Sequence, residues 1–243
     1  RVKVNSVERR GKTGVKVRVE SDGVSGEVDG SQLLVATGRT GRFDSLDPKR
    51  ARVALKDGAG DVSAMLRTTN RRIYAVGDAT GTRSREAALH QAELVLKGLL
   101  FRLPAKDRSL VPAVVRTDPE IAHVGLSEAQ ARRRHKRLSI VRWPYNENDW
   151  ARAMKRTEGH IKLVADSKGR LLGVSIVGVN ASEMIAIWSL ALSKGLGLKE
   201  MGASIPVHAT AGEIGKSAAM AYFRARAQRP FSRGIVRLLR MFG

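Results

Sequence analysis

Cysteine is absent from all 243 residues, which excludes disulfide scaffolding, thiolate catalysis and cysteine-ligated zinc within them. Aromatic residues make up only 5%, too few for a base-stacking platform for single strands. The five histidines are scattered and form no H-x-x-x-H pair, so a metal site has little support. No stretch reaches the roughly 18 apolar residues that span a bilayer, and no charged-then-apolar leader opens the sequence, so the expectation is a soluble, cytoplasmic protein. Acidic residues run short: 23 Asp and Glu against 44 Lys and Arg leave a formal charge of +21. Such a surplus invites a nucleic-acid or anionic-membrane reading. Because the basic residues are spread along the chain, a solvated, arginine-rich surface is preferred. The cluster from Arg132 to Arg137 keeps a basic binding module open as an alternative.

What is present is an ordinary 42% hydrophobic content, enough to bury the core of one large or two modest domains. The chain starts at Arg1 in the middle of an alternating pattern, and the expectation is a piece cut from a longer protein. Val15, Val17 and Val19 alternate with Lys16, Arg18 and Glu20 between turn residues, which predicts a small β-meander over residues 2–35. The apolar run Gln32 to Ala36 has the character of a strand buried in a parallel sheet. A second such strand is predicted over Arg72 to Val76, running into Gly77-Asp78-Ala79-Thr80-Gly81. A helix from about Arg85 to Arg102 follows, with Ala88, Ala92, Val95 and Leu99 as its apolar stripe. Strand, glycine turn and helix in succession present backbone to a ligand in α/β folds.

A charged, proline-containing boundary falls at residues 103–107. Past it, strands are predicted over Ala113 to Arg116 and Leu138 to Trp143, and a hairpin pairs Gly159 to Ala165 with Arg170 to Val177. Helices are predicted from Ser127 to about His135, from Ser182 to Lys194 and from Ala211 to Arg226. Ile185 and Leu190 are the candidates for subunit contact on the second of these. Strands grouped with helices, without strict alternation, indicate an α+β domain. In the tail, Ile235, Leu238, Leu239 and Phe242 share one helical face and Arg233, Arg237 and Arg240 another, which allows a weak membrane-surface contact or packing on the parent protein.

Two glycine-ended apolar runs about forty residues apart carry the first chemical signal. Small residues such as Thr37 and Gly38 let backbone approach a phosphate or ribityl chain, and the carboxylate of Asp78 can accept hydrogen bonds from sugar hydroxyls. Asp78 could equally cap a helix. The pair Ala36-Thr37-Gly38-Arg39 and Tyr74-Ala75-Val76-Gly77-Asp78 resembles the A-T-G-R and Y-A-x-G-D signatures of the pyridine nucleotide-disulfide oxidoreductases, the family of glutathione reductase, lipoamide dehydrogenase and mercuric reductase. That resemblance implies that Asp78 holds the ribityl or phosphate region of FAD, and that Leu89 and His90 lie beside the flavin ring. It continues in order through Thr117 to Glu128, Asn148-Asp149, Glu158 to Val164, Leu172-Gly173 and Gly178 to Glu183.

The last piece is Val207-His208-Ala209-Thr210-Ala211-Gly212-Glu213. A loop histidine followed five residues later by a carboxylate inside a helix can be oriented, and its cation stabilised, by that carboxylate. The bland alternative is a surface or capping histidine. The segment is similar to the family's H-P-T-x-x-E motif, with Ala209 where the family has proline. The resemblance implies that His208 is the general acid/base, that Glu213 orients it, and that the imidazole reaches the flavin site of a partner subunit.

The G-x-G-x-x-G fingerprints and the redox cysteine pair are missing. Gly195-Leu196-Gly197 fails because Glu200 stands at the third glycine position. In the family all of these precede the part matched by this chain. The expected fold is therefore an α/β remnant of FAD- and NAD(P)-binding domains, residues 1–38 and 39–103, then an α+β dimerisation domain, residues 104–228, whose antiparallel sheet has flanking helices, and a basic amphipathic tail, residues 229–243. The expected function is that of the C-terminal part of an FAD-dependent NAD(P)H:disulfide or mercuric reductase-like oxidoreductase, a homodimer with a small-molecule or disulfide electron acceptor and no nucleic acid. A non-catalytic dimerisation protein is the remaining alternative.

Overall fold

Alternation in the first thirty residues produces what it predicts. The computed structural model describes residues 2–38, 41–103 and 110–228, and the chain divides into a unit of residues 1–40 and a unit of residues 41–243. The basic tail lies outside the described residues, as do residues 104–109 at the expected domain boundary. In the first unit, β1 (Val2–Arg10), β2 (Gly14–Ser21) and β3 (Val24–Gly30) form an antiparallel meander in the order β1-β2-β3. Its register sets Val7 opposite Val17 and Val17 opposite Val28, an apolar row across one face. The charged positions of the same strands pair up: Lys16 and Arg18 meet Glu27 at 2.6 and 3.1 Å, and Arg10 meets Asp29 at 3.2 Å.

Two expected strands do not form. Residues 32–36 are outside any strand and exposed, Leu34 by 89% and Val35 by 69%. Residues 72–76 contribute only an isolated bridge between Arg67 and Tyr74. A parallel strand needs parallel neighbours to take up its N–H and C=O groups; among the described residues the first run pairs with no strand, and the second meets only residues 66–68, across an antiparallel bridge.

The second unit opens with the short paired strands β4 (Leu55–Lys56) and β5 (Ala59–Gly60), a tight turn at Gly77–Thr80 and the helix α1 (Arg85–Phe101). Ser84, not Asp78, is the N-cap of α1, its hydroxyl accepting from the Ala87 N–H at 3.1 Å. Ala88, Ala92 and Val95 are half-buried as the stripe predicts, but Leu99 is exposed.

The remainder is an α+β domain. In chain order it comprises β6 (Ala113–Val115), β7 (Ile121–Gly125), α2 (Glu128–Arg134), β8 (Leu138–Pro144), α3 (Asp149–Ala153), β9 (His160–Asp166), β10 (Leu171–Val177), α4 (Ala181–Ser193), α5 (Leu198–Ala203) and α6 (Glu213–Ala227). The five strands form one antiparallel sheet in the order β6-β7-β10-β9-β8. Ser127 and Gln130 close a reciprocal capping box at the start of α2. Arg132, Arg133 and Arg134 sit in its last turn, where cations complement the helix dipole, and Arg132 is also paired with Glu128 at 2.7 Å. This gives the basic cluster a structural account.

The core lies between the sheet and the helices: Ile161, Leu163, Val174 and Ile176 from the strands meet Ile185, Trp188, Ile214 and Ala218. Gly215 makes the crossing possible, since a Cβ there would stand 2.8 Å from the Trp188 ring. Ile185, expected at a subunit contact, is only 2% exposed and belongs to this core. Met184 packs half-buried against the stripe that Ala181, Ile185, Trp188 and Ala191 bury, while Ile187 falls to one side of it. The outward apolar residues of α4 are Ile187 and Leu190, 55% and 57% exposed.

Candidate active site

A nine-residue loop between α5 and α6 carries His208. Its entry is apolar yet faces outward, with Ile205 91% and Val207 74% exposed. Ile205 and Pro206 share a cleft with Ile187 of α4 and Lys216 of α6. Inside the loop Thr210 acts twice: its hydroxyl donates to the Val207 carbonyl at 2.8 Å, and its N–H donates to Glu213 Oε2 at 3.1 Å. The other carboxylate oxygen, Oε1, lies 3.1 Å from His208 Nδ1. The His208–Ala209 peptide is cis.

Glu213 is the first residue of α6, where a helix favours negative charge. The Thr210 N–H holds its carboxyl below the usual range, and the His208 imidazole adds to this against the opposing effect of partial burial. An ionised carboxylate only accepts hydrogen bonds, so the Nδ1 that faces it carries a proton. In the neutral imidazole Nε2 is then the basic nitrogen. The side chain is 71% exposed while Glu213 is 24% exposed, a carboxylate set behind an accessible imidazole. The structure thus brings together the two residues that sequence reasoning paired.

The positions expected to contact a cofactor fall in two places. Thr37 and Gly38 end the described part of the first unit, both exposed, Gly38 with φ +106°. Asp78 is exposed on the turn before α1, Leu89 is 56% exposed and His90 is half-buried on the helix itself. The glycine before Asp78 has φ +62°, and a Cβ there would stand 3.0 Å from the Ala88 Cβ, so turn and helix lie in close contact.

Two residues with positional roles went unassigned in the sequence. Gln91, 5% exposed, accepts from the Gly77 N–H at 2.7 Å and from the Thr80 hydroxyl at 3.2 Å, and donates to Thr82 at 3.2 Å. It fastens the Asp78 turn to α1; its signal is a buried amide within an apolar stripe. Asn148, 4% exposed, donates to the Thr210 carbonyl at 3.1 Å. Nothing in sequence spacing reveals a contact across 62 positions.

The family model for the pyridine nucleotide-disulphide oxidoreductase dimerisation domain matches residues 111–219. The model described as pyridine nucleotide-disulphide oxidoreductase matches residues 1–93. The chain belongs to the pyridine nucleotide-disulphide oxidoreductase family. Relatives include a dihydrolipoyl dehydrogenase from Geobacillus stearothermophilus, 32% identical over 209 residues that make up 85% of this chain and 44% of that protein. A mycothione reductase from Mycobacterium tuberculosis is 37% identical over 202 residues, 80% of this chain and 43% of that protein. Among solved structures, LpdA from Mycobacterium tuberculosis superposes with a TM-score of 0.81 at 26% identity, over 91% of this chain and 48% of that one. The HOCl-induced flavoprotein disulfide reductase RclA from Escherichia coli superposes with a TM-score of 0.77 at 29% identity, over 90% and 50%. The chain therefore spans about half the length of the family members it matches. Among the described residues no helix is long and apolar enough to cross a membrane.

Proposed function

We propose that these residues are the C-terminal part of an FAD-dependent NAD(P)H:disulfide oxidoreductase that works as a homodimer, with His208 as its general acid/base and Glu213 as the residue that orients it. In this reading residues 1–38 end the nicotinamide-binding domain, 39–103 close the flavin-binding domain and 104–228 form the dimerisation domain. The observation that carries it is the 3.1 Å contact between His208 Nδ1 and Glu213 on an exposed loop with an outward apolar rim.

The residues present fit a flavin dinucleotide. Asp78 offers an exposed carboxylate on a turn that Gly77 draws against α1, suited to sugar hydroxyls, with Leu89 and His90 on α1 as further contacts; Thr37 and Gly38 are assigned to the flavin from the sequence signature alone. No residue is assigned to the nicotinamide nucleotide. A bound flavin would supply two-electron redox chemistry between a nicotinamide hydride and a cysteine pair.

The chemistry left to this chain is protonic. As a thiol attacks a disulfide, Nε2 of His208 accepts the proton that the attacking sulfur loses and returns one to the departing sulfur. Glu213 stabilises the imidazolium between these two events. The acceptor is a small molecule or disulfide, and the aqueous compartment assigned is the cytoplasm.

The whole protein supplies the test. It is expected to purify with a flavin absorption spectrum and to oxidise NAD(P)H only when a disulfide acceptor is added. A flavin-free protein that leaves NAD(P)H untouched would mark a dimerisation module without chemistry.

A further inference from the structure

We propose that Asn148, on a different element from the active-site loop, is a positioning residue that sets the orientation of His208 by holding Thr210. The inference rests on the acid/base reading of His208 and extends it to a residue to which sequence spacing gives no role.

Asn148 is the N-cap of α3, and its Oδ1 accepts from the Ala151 N–H at 2.9 Å. That N–H can only donate, so Oδ1 is the atom it meets, and the amide nitrogen must be the atom facing the Thr210 carbonyl. Both ends of the amide are engaged in a site 4% exposed, which leaves the side chain no second orientation. The carbonyl it holds, 3.1 Å away, belongs to the residue whose N–H grips Glu213 Oε2. Glu213 in turn holds Nδ1 of His208. An unbroken chain of three contacts, each 3.1 Å long, runs from the N-cap of α3 to the imidazole.

The loop has few other ties of this kind. Thr210 closes on Val207 within the loop, which shapes the loop but does not locate it against the domain. Buried Ala211 and Ile214 anchor the start of α6, yet apolar contacts do not fix rotation about the Thr210 backbone. The Asn148 amide does, because hydrogen bonding is directional. Displacements of about 1 Å at a reacting group can cost 100-fold in rate, so such a tether belongs to the chemistry as well as to the fold.

Two substitutions separate the tether from the cap. Asn148→Ser keeps a good N-cap but is too short to reach Thr210, and Asn148→Asp keeps both reach and cap while placing an acceptor against the carbonyl. In the whole protein both are expected to retain the native circular dichroism spectrum and the KM for NAD(P)H, while kcat with a disulfide acceptor falls by about 10-fold or more. With 15N-labelled histidine, the His208 signal is expected to move from the Nδ1–H tautomer toward a mixture. Added to Glu213→Gln, Asn148→Ser is expected to cost little more, because both act through one contact. An unchanged tautomer and kcat, or losses that add in full, would overturn the tether. The tautomer does not depend on what His208 does, so a failure of the acid/base reading, seen as undiminished turnover in His208→Gln, remains distinguishable from a failure of this one.

Discussion

Replacing His208 with glutamine in the whole protein is expected to lower turnover of a disulfide acceptor by about 10²- to 10⁴-fold, the range over which a positioned acid/base group contributes. Glutamine retains a hydrogen-bonding group that can still meet Glu213, but it cannot take up a proton near neutral pH. The loss should therefore fall on the thiol steps. Reduction of bound flavin by NAD(P)H, followed by stopped-flow absorbance, is expected to keep its wild-type rate. A glutamine variant with turnover within about tenfold of wild type would return His208 to the class of surface histidines, which its 71% exposure taken by itself would suit.

The second large effect concerns assembly. Ile187 and Leu190 are 55% and 57% exposed on α4, and Ile187 shares its cleft with the outward Ile205. A soluble chain rarely leaves such a set uncovered, and the family match places it in a dimerisation domain. In a two-fold interface each side chain is buried twice. At about 1 kcal/mol per half-exposed side chain, the two residues contribute about 4 kcal/mol. Asp at both positions is thus expected to raise the dimer dissociation constant by about 10³-fold, and light scattering should report a folded monomer in place of a dimer. The contrast is Ile185→Asp: at 2% exposure it buries an unpaired carboxylate and should unfold the domain. If the double variant stays dimeric, the interface lies on another face.

Legibility in the sequence followed the range of the interactions involved. The β9–β10 hairpin, the meander and the helices α1, α2, α4 and α6 were readable because alternation, turn residues and capping are local. Gln32 to Ala36 and Arg72 to Val76 were misread as strands because apolarity reports burial in some partner and not the identity of that partner. Ile185 was misplaced for a related reason: a helix that is apolar on several faces does not declare which face is core. Of the candidate site, the five-residue spacing of His208 and Glu213 was visible and its 3.1 Å contact followed. The contributions of Gln91 and Asn148 were not, since a buried amide is recognisable only when its distant partners are known.

In the proposed homodimer His208 serves thiols held by the other subunit. Mixed dimers of two defective subunits expose this, one bearing His208→Gln and the other lacking the redox cysteines, each inactive as a homodimer. Random reassortment makes about half the dimers mixed, and each mixed dimer holds one site with both wild-type parts if the histidine acts across the interface. Recovery of about a quarter of wild-type turnover is expected. No recovery from verified mixed dimers would contradict it, and would place the histidine on its own subunit's chemistry or outside the chemistry altogether.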